Sequence, residues 1–231
     1  MSSFPKNLFL KIFLICLWVS SAHSSQGELN LKTLVSKQKK IKTLSIDLYG
    51  STAKIRKVKD LDAATMVYTQ PSDKSCEVVI QDAEGIFGFS IERSFLEKVH
   101  STMKCRTELV ISVPADLKIK AEVVNGSIEI EGVDGDHEIS AIRSRLSLAQ
   151  MSGASKVDSL SSDIEMMALT GQIKFEDISS RLELTKHRES VFVETNGVGI
   201  RERVHSPIGI SKTNALLILT VDGIATKLYV E

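Results

Sequence analysis

The chain of 231 residues is poor in aromatics: one Trp, three Tyr and eight Phe. Carbohydrate grooves usually stack sugar rings on aromatic faces, so this poverty weighs against one. There is no surplus of either charge, with 29 basic and 29 acidic side chains, and phosphate binding needs a surplus of Lys and Arg. Four Pro and 13 Gly exclude collagen-like or linker-like material. Long apolar runs are lacking too. The most continuous, residues 12–19, is less than half of the ~20 residues that a spanning helix requires.

What is present begins with that run. Lys6 and Lys11 precede it, and the small residues Ser20, Ser21 and Ala22 follow it, the order of a secretory signal peptide over residues 1–24. Cleavage after Ala22 and after Ser24 both fit. Cys16 is preceded by residues too bulky for a lipobox. Removal of residues 1–24 leaves 27 basic against 29 acidic side chains, no Trp, and two cysteines, Cys76 and Cys105. In an oxidising compartment that even remainder predicts a structural disulfide, a pair of free thiols being the alternative. Two cysteines without paired His supply too few ligands for zinc.

The middle of the chain repeats. Segments 126–130, 144–148, 162–166 and 180–184 follow one another at a step of 18, each a small residue and then alternating apolar side chains. Ala121, Ile139, Val157 and Phe175 form a second column, and Val124, Ile142, Leu160 and Ile178 a third. Val133, Met151 and Leu169 align, as do Gly135, Gly153 and Gly171. The alternation has period two, so the units are strands. One 18-residue unit per turn would stack strand on strand about 4.8 Å apart and turn every apolar column into an internal ladder. The expectation is an all-β fold: a single-stranded parallel β-solenoid (β-helix) with rungs of about 18 residues. A β-sandwich is the competing reading, and helical repeats fail on the period. The glycine column predicts one corner, and the small residues at 126, 144, 162 and 180 predict another.

The flanks are less regular. Residues 44–48, 53–55, 77–81, 87–91 and 109–113 read as further strands, the last stopped by Pro114. Residues 92–104 suit a short helix or a loop. Residues 216–221 and 224–230 around Asp222-Gly223 predict a C-terminal hairpin that caps the stack. The predicted organisation is a signal peptide over 1–24, an N-terminal arm over 25–43 containing the basic stretch 37–42, a β region over 44–113, and solenoid repeats with their cap over 114–231.

The pattern Leu109-x-Ile111-x-Val113-Pro114, Leu117-x-Ile119, Asn125-Gly126-Ser127-Ile128-Glu129-Ile130-Glu131-Gly132, repeating thereafter, resembles the putative-adhesin family of bacterial β-solenoids. The likeness covers about residues 44–231. Ser replaces the Asn-Gly corner in three of four units. The resemblance implies an exported, envelope-associated domain, and that family carries no catalytic residue to transfer.

No standard catalytic spacing occurs. His100, His137, His187 and His205 are scattered and read as solvated surface residues. Asp134-Gly135-Asp136 reads as a turn, short of the ligands of a calcium loop, and Asn125-Gly126-Ser127 as an incidental sequon. Two acidic columns remain as candidates. Asp158 and Glu176 would lie one strand apart, as would Glu165 and Glu183. Such pairs could raise one carboxylate's pKa, recruit Ca²⁺, or serve glycoside hydrolysis. The plainer reading is a salt-bridged face with Arg145, Asp163 and Arg181.

The expected function is an exported, non-catalytic, adhesin-like binding or structural module of the cell envelope, without cofactor, periplasmic, surface-bound or secreted. Its expected partner is a protein or envelope surface, self-association included, with no nucleic acid and no transmembrane segment after signal removal. The alternatives are a polysaccharide-active β-helix enzyme and a sensor or assembly partner in envelope stress.

Overall fold

The computed structural model describes residues 30–38, 40–73, 76–93, 105–185, 191–199, 201–204 and 217–230. The predicted signal peptide, most of the 92–104 segment, and His100, His187 and His205 lie outside them. The described strands all belong to the unit Leu31–Glu231.

Among the described residues there are nineteen strands and no helix. The N-terminal set is β1 (Leu31–Val35), β2 (Thr43–Tyr49), β3 (Thr52–Lys57), β4 (Thr65–Thr69), β5 (Cys76–Ala83), β6 (Ile86–Arg93) and β7 (Glu108–Val113). The repeats follow as β8 (Lys118–Val124), β9 (Ser127–Glu131), β10 (His137–Ile142), β11 (Arg145–Ala149), β12 (Ala154–Leu160), β13 (Asp163–Met167), β14 (Gly171–Ile178) and β15 (Arg181–Thr185). The C-terminal set is β16 (Val191–Val198), β17 (Arg201–Val204), β18 (Leu217–Ile224) and β19 (Lys227–Val230).

The strands form two sheets. One is ten-stranded, in the order β1-β4-β7-β3-β9-β11-β13-β15-β19-β17; the other is nine-stranded, in the order β16-β18-β14-β12-β10-β8-β2-β6-β5. From β8 to β15 the chain alternates between them, and every pairing is parallel at a step of 18: Ile139 beside Val157, Val157 beside Phe175, Leu146 beside Ile164. Ile128, Leu146, Ile164 and Leu182 therefore line up neighbour to neighbour, all buried. Each such side chain contributes roughly 1.5–3 kcal/mol by leaving water.

The two corners hold for different reasons. At the first, Asn125, Arg143, Ser161 and Ser179 adopt positive φ, each followed by the small residue of the repeat. Those serines are buried, and their hydroxyls form a ladder. The Ser162 Oγ accepts the Ser144 N–H at 3.2 Å, and the Ser180 Oγ accepts the Ser162 N–H at 3.0 Å. A small hydroxyl residue thus satisfies backbone groups that the corner would leave unpaired. The second corner carries the glycine column, with φ of +140° at Gly135, +118° at Gly153 and +99° at Gly171.

The ends depart from expectation in three ways. First, there is no C-terminal hairpin. Asp222-Gly223 lies inside β18, which pairs parallel with β14 and β16, while β19 pairs parallel with β15 and β17. The real corner is Ala225-Thr226, with φ of 57° at Ala225. Asp-Gly favours a turn by itself, but here register with Glu176-Asp177 on one side and Asn196-Gly197 on the other holds it within the ladder. Second, the last rung is interior: β18–β19 sits between β14–β15 and β16–β17. The same occurs at the other end, where β2 lies between β6 and β8, and β3 between β7 and β9. The 18-step fails after Thr185 because the next rung in space is not the next in sequence. Third, residues 31–35, within the expected arm, form β1. It pairs antiparallel with β4, which pairs antiparallel with β7, as β5 does with β6. Ser36 Oγ and Gln38 Nε2 donate to Asp82 at 2.7 and 2.8 Å, tying this segment to β5.

Cys76 and Cys105 are bonded and buried, their Cα atoms 5.5 Å apart. Closing 29 residues of sequence contributes roughly 2–4 kcal/mol in the chain-entropy picture.

His137 is buried, contrary to the expected surface position. It lies two residues before Ile139, hence on the inward face of β10. Its Nδ1 accepts the Ile119 N–H at 3.1 Å and its Nε2–H donates to the Val133 carbonyl at 3.0 Å. Burial holds its pKa below the ordinary 6.5, against the upward pull of the Val133 carbonyl and of Asp136, Asp134 and Asp116. The unfolded chain therefore takes up the proton first, so this contribution to stability is complete above about pH 6.5 and is lost as the pH falls below it. Denaturant titrations should show that loss in the native chain and a flatter profile in His137→Gln. Equal profiles would refute it.

Candidate functional site

The outward side chains of the nine-stranded sheet form rows along the stack, because parallel in-register pairing repeats each position on every rung. One row runs Val124, Ile142, Leu160, Ile178, Ile224 and Val198, in direct register throughout. Sequence periodicity assigned its first four members to the interior. The structure turns them outward: Val124 and Ile142 are half-buried, Leu160 is 38% exposed and Ile178 50%, and the row continues with Ile224 at 56% and Val198 at 75%. The reason is parity. Ala121 and Val124 are three apart, and in a period-two strand an odd spacing puts residues on opposite faces. That signal was present in the sequence and was outweighed by the apolar character of both columns.

Beside this row runs an acidic one, with Asp47, Glu122, Ser140, Asp158, Glu176 and Asp222 in register. Between the two rows lies a groove of about 660 Å³ floored by small or polar residues including Ser159, Asp177 and Gly223. Asp177 is buried below it. It accepts the Thr226 hydroxyl at 2.5 Å, the Ser180 N–H at 3.0 Å and the Ser159 hydroxyl. The next row outward from the acids is rich in lysine: Lys120, Glu138, Lys156 and Lys174.

The candidate acids are brought together in pairs, with a cation between the first two. Asp158 stands beside Glu176, and Glu165 beside Glu183. The Lys156 ammonium lies 3.2 Å from both Asp158 and Glu176. Lys174 lies 3.0 Å from Glu176 and 3.3 Å from Asp222. The hydrogen bond from Lys174, and then that from Lys156, holds the Glu176 carboxyl below the usual carboxylate range. This reverses the expected rise: an interposed ammonium outweighs a carboxylate one strand away. Asp47 is pushed up by partial burial and then by Glu122 and Glu92.

On the ten-stranded sheet Arg181 pairs with Glu183 at 2.8 Å and lies over the Tyr229 ring, and Lys54 pairs with Glu129 at 2.9 Å. Exposed pairs of this kind contribute roughly 0–1 kcal/mol, so their importance is in patterning the surface. At the Asp134 turn the carboxylate accepts the Ser152 N–H and hydroxyl at 2.7 Å, bonding rung to rung. Among the described residues no group of three or more His, Cys, Asp or Glu could hold a metal ion, and no helix is long and apolar enough to cross a membrane.

No family model and no curated protein matches the chain. Solved structures do. A putative cell adhesion protein from Clostridium sporogenes is 10% identical, over 87% of this chain and 97% of that one, with a TM-score of 0.39. A putative adhesin from Bacteroides fragilis is 15% identical, over 89% and 98%, with a TM-score of 0.37. A putative adhesin from Parabacteroides distasonis is 9% identical, over 88% and 98%, with a TM-score of 0.31.

Proposed function

We propose that the chain is an exported β-solenoid that acts, without catalysis, as an adhesin-like binding or structural module of the cell envelope. In this reading residues 1–24 are a removable secretory signal and residues 114–231 carry the regular coil. The observation that carries it is the outer face of the nine-stranded sheet. An exposed aliphatic row of Leu160, Ile178, Ile224 and Val198 runs there beside rows of paired charge. A contiguous apolar patch rimmed by polar groups is a contact surface before it is anything else. The acids argue in the same direction. A general acid needs a raised pKa, whereas Glu176 is lowered by its lysines. The Cys76–Cys105 bond supports an oxidising compartment.

The test is a photo-cross-linking side chain at position 160 in intact cells, compared with one at position 165 on the other sheet. Adducts should form in the envelope fraction from position 160 and disappear when Ile178 and Ile224 are both changed to Lys. A cytosolic chain, or equal adducts from both positions, would overturn the reading.

A further inference from the structure

The outer face of the nine-stranded sheet has a lateral order that suits a second copy of itself. Four outward rows cross it. The first ends, toward the C-terminal rungs, in Gln172, Ile218 and Phe192. The second carries Lys156 and Lys174, the third Asp158 and Glu176, and the fourth the exposed aliphatic residues. The charged and apolar features lie on neighbouring rungs: β12 and β14 carry a lysine beside an acid, and β18 and β16 carry Ile218 with Ile224 and Phe192 with Val198 at the two sides of the sheet.

A two-fold axis parallel to the stacking direction, passing between the second and third rows, reverses that order while keeping every level. On β12 and β14 each lysine then faces an acid, and on β18 and β16 the aliphatic row faces the apolar end of the first row. Asp158 meets the partner's Lys156, Glu176 meets the partner's Lys174, and Ile224 meets the partner's Ile218. An axis in the same plane but across the rows would put acid on acid and lysine on lysine, so charge selects one arrangement. Size fits as well. Four rows about 7 Å apart over seven levels about 4.8 Å apart span roughly 20 by 29 Å. With side-chain relief this approaches the roughly 800 Å² per partner of a standard interface. Sheets packed face to face in this way are a common solution for burying apolar strand faces.

We propose that this face forms an isologous dimer of the chain, two stacks side by side and pointing the same way. The proposal rests on reading the face as a contact surface and adds the identity of the partner.

Sedimentation velocity on the purified chain over a range of concentrations should give a monomer–dimer equilibrium. Ile178→Lys should weaken it at least tenfold with an unchanged circular dichroism spectrum; Ile224→Ser is the second variant should the first fail to fold. Charge reversal gives the sharper readout. A chain carrying K156E and K174E has an acidic face, and one carrying D158K and E176K a basic face. Each alone should be monomeric, and an equimolar mixture should form heterodimers. A wild-type chain that stays monomeric, or a dimer indifferent to Ile178→Lys or to the reversals, would overturn the proposal. If such a monomer still forms envelope adducts from position 160 that the Lys variants abolish, the dimer fails and the contact reading survives.

Discussion

Gly171→Ala is expected to cost about 2–6 kcal/mol, a large share of the 5–15 kcal/mol that is typical of a whole domain's stability. Two separate terms add. Gly171 has φ of +99°, a conformation that L side chains rarely adopt, and holding one there costs about 1–3 kcal/mol. A Cβ at that position would also lie 2.3 Å from the Gly153 carbonyl oxygen and 2.9 Å from its nitrogen. Those atoms are backbone, fixed by the rung spacing, and cannot swing aside as a side chain could. Such overpacking adds typically 1–3 kcal/mol. Gly153 stands in the same relation to Gly135, its Cβ falling 2.4 Å from the Gly135 oxygen. Gly132 is the control. Its φ is +67° but nothing lies within 4 Å of the added carbon, so Gly132→Ala should cost only about 1 kcal/mol. Equilibrium denaturation of the three chains decides it. Near-equal losses for Gly171→Ala and Gly132→Ala would mean that contact between rungs does not dictate the glycine column.

Ending the chain at residue 216 should be equally severe, though only fifteen residues are lost. Leu217, Leu219, Val221 and Leu228 are all 0–1% exposed, and at roughly 1.5–3 kcal/mol each their burial contributes about 6–12 kcal/mol. Their rung is interior, so the loss falls on both sides. β14 and β15 lose a parallel neighbour, and β16 and β17 lose the only strands they pair with among the described residues. Asp177 loses the Thr226 hydroxyl. Hydrogen exchange should show protection collapsing from β14 through β17, with the rungs from β8 to β11 weakened but still ordered. Were only β16 and β17 to fray while the remaining protection stood unchanged, the last rung would be an accessory and not a keystone. The interleaving also bears on assembly. Rung-by-rung growth in sequence order cannot complete this stack, because β18–β19 must enter beside β15 before or together with the docking of β16–β17.

Much of this architecture could be read in advance. The step of 18, the inward columns at Ala121 and Ile128 and the glycine corner follow from local spacing, and the strands obey them; the Cys76–Cys105 bond follows from the even cysteine count that signal removal would leave. What went astray has physical causes. The third column's apolar character points inward and its odd spacing from Ala121 outward, and the spacing governs. The residue type of His137 favours exposure, but its parity places it inward and two backbone groups satisfy its ring. Both acid pairs were legible, but the lysine that fills the Asp158–Glu176 pair was not, because Lys156 belongs to a neighbouring row two residues away in sequence.

By itself the sequence determined the rung: its length, its corners, and which side chains alternate inward and outward within each strand. These are consequences of backbone geometry over a few residues, where periodicity acts directly. Only the tertiary structure decided the order of rungs at the two ends and the extent of the exposed row. A strand edge accepts any partner of matching pattern, and the choice between β16 and β18 beside β14 depends on burial and hydrogen bonds summed over the completed stack.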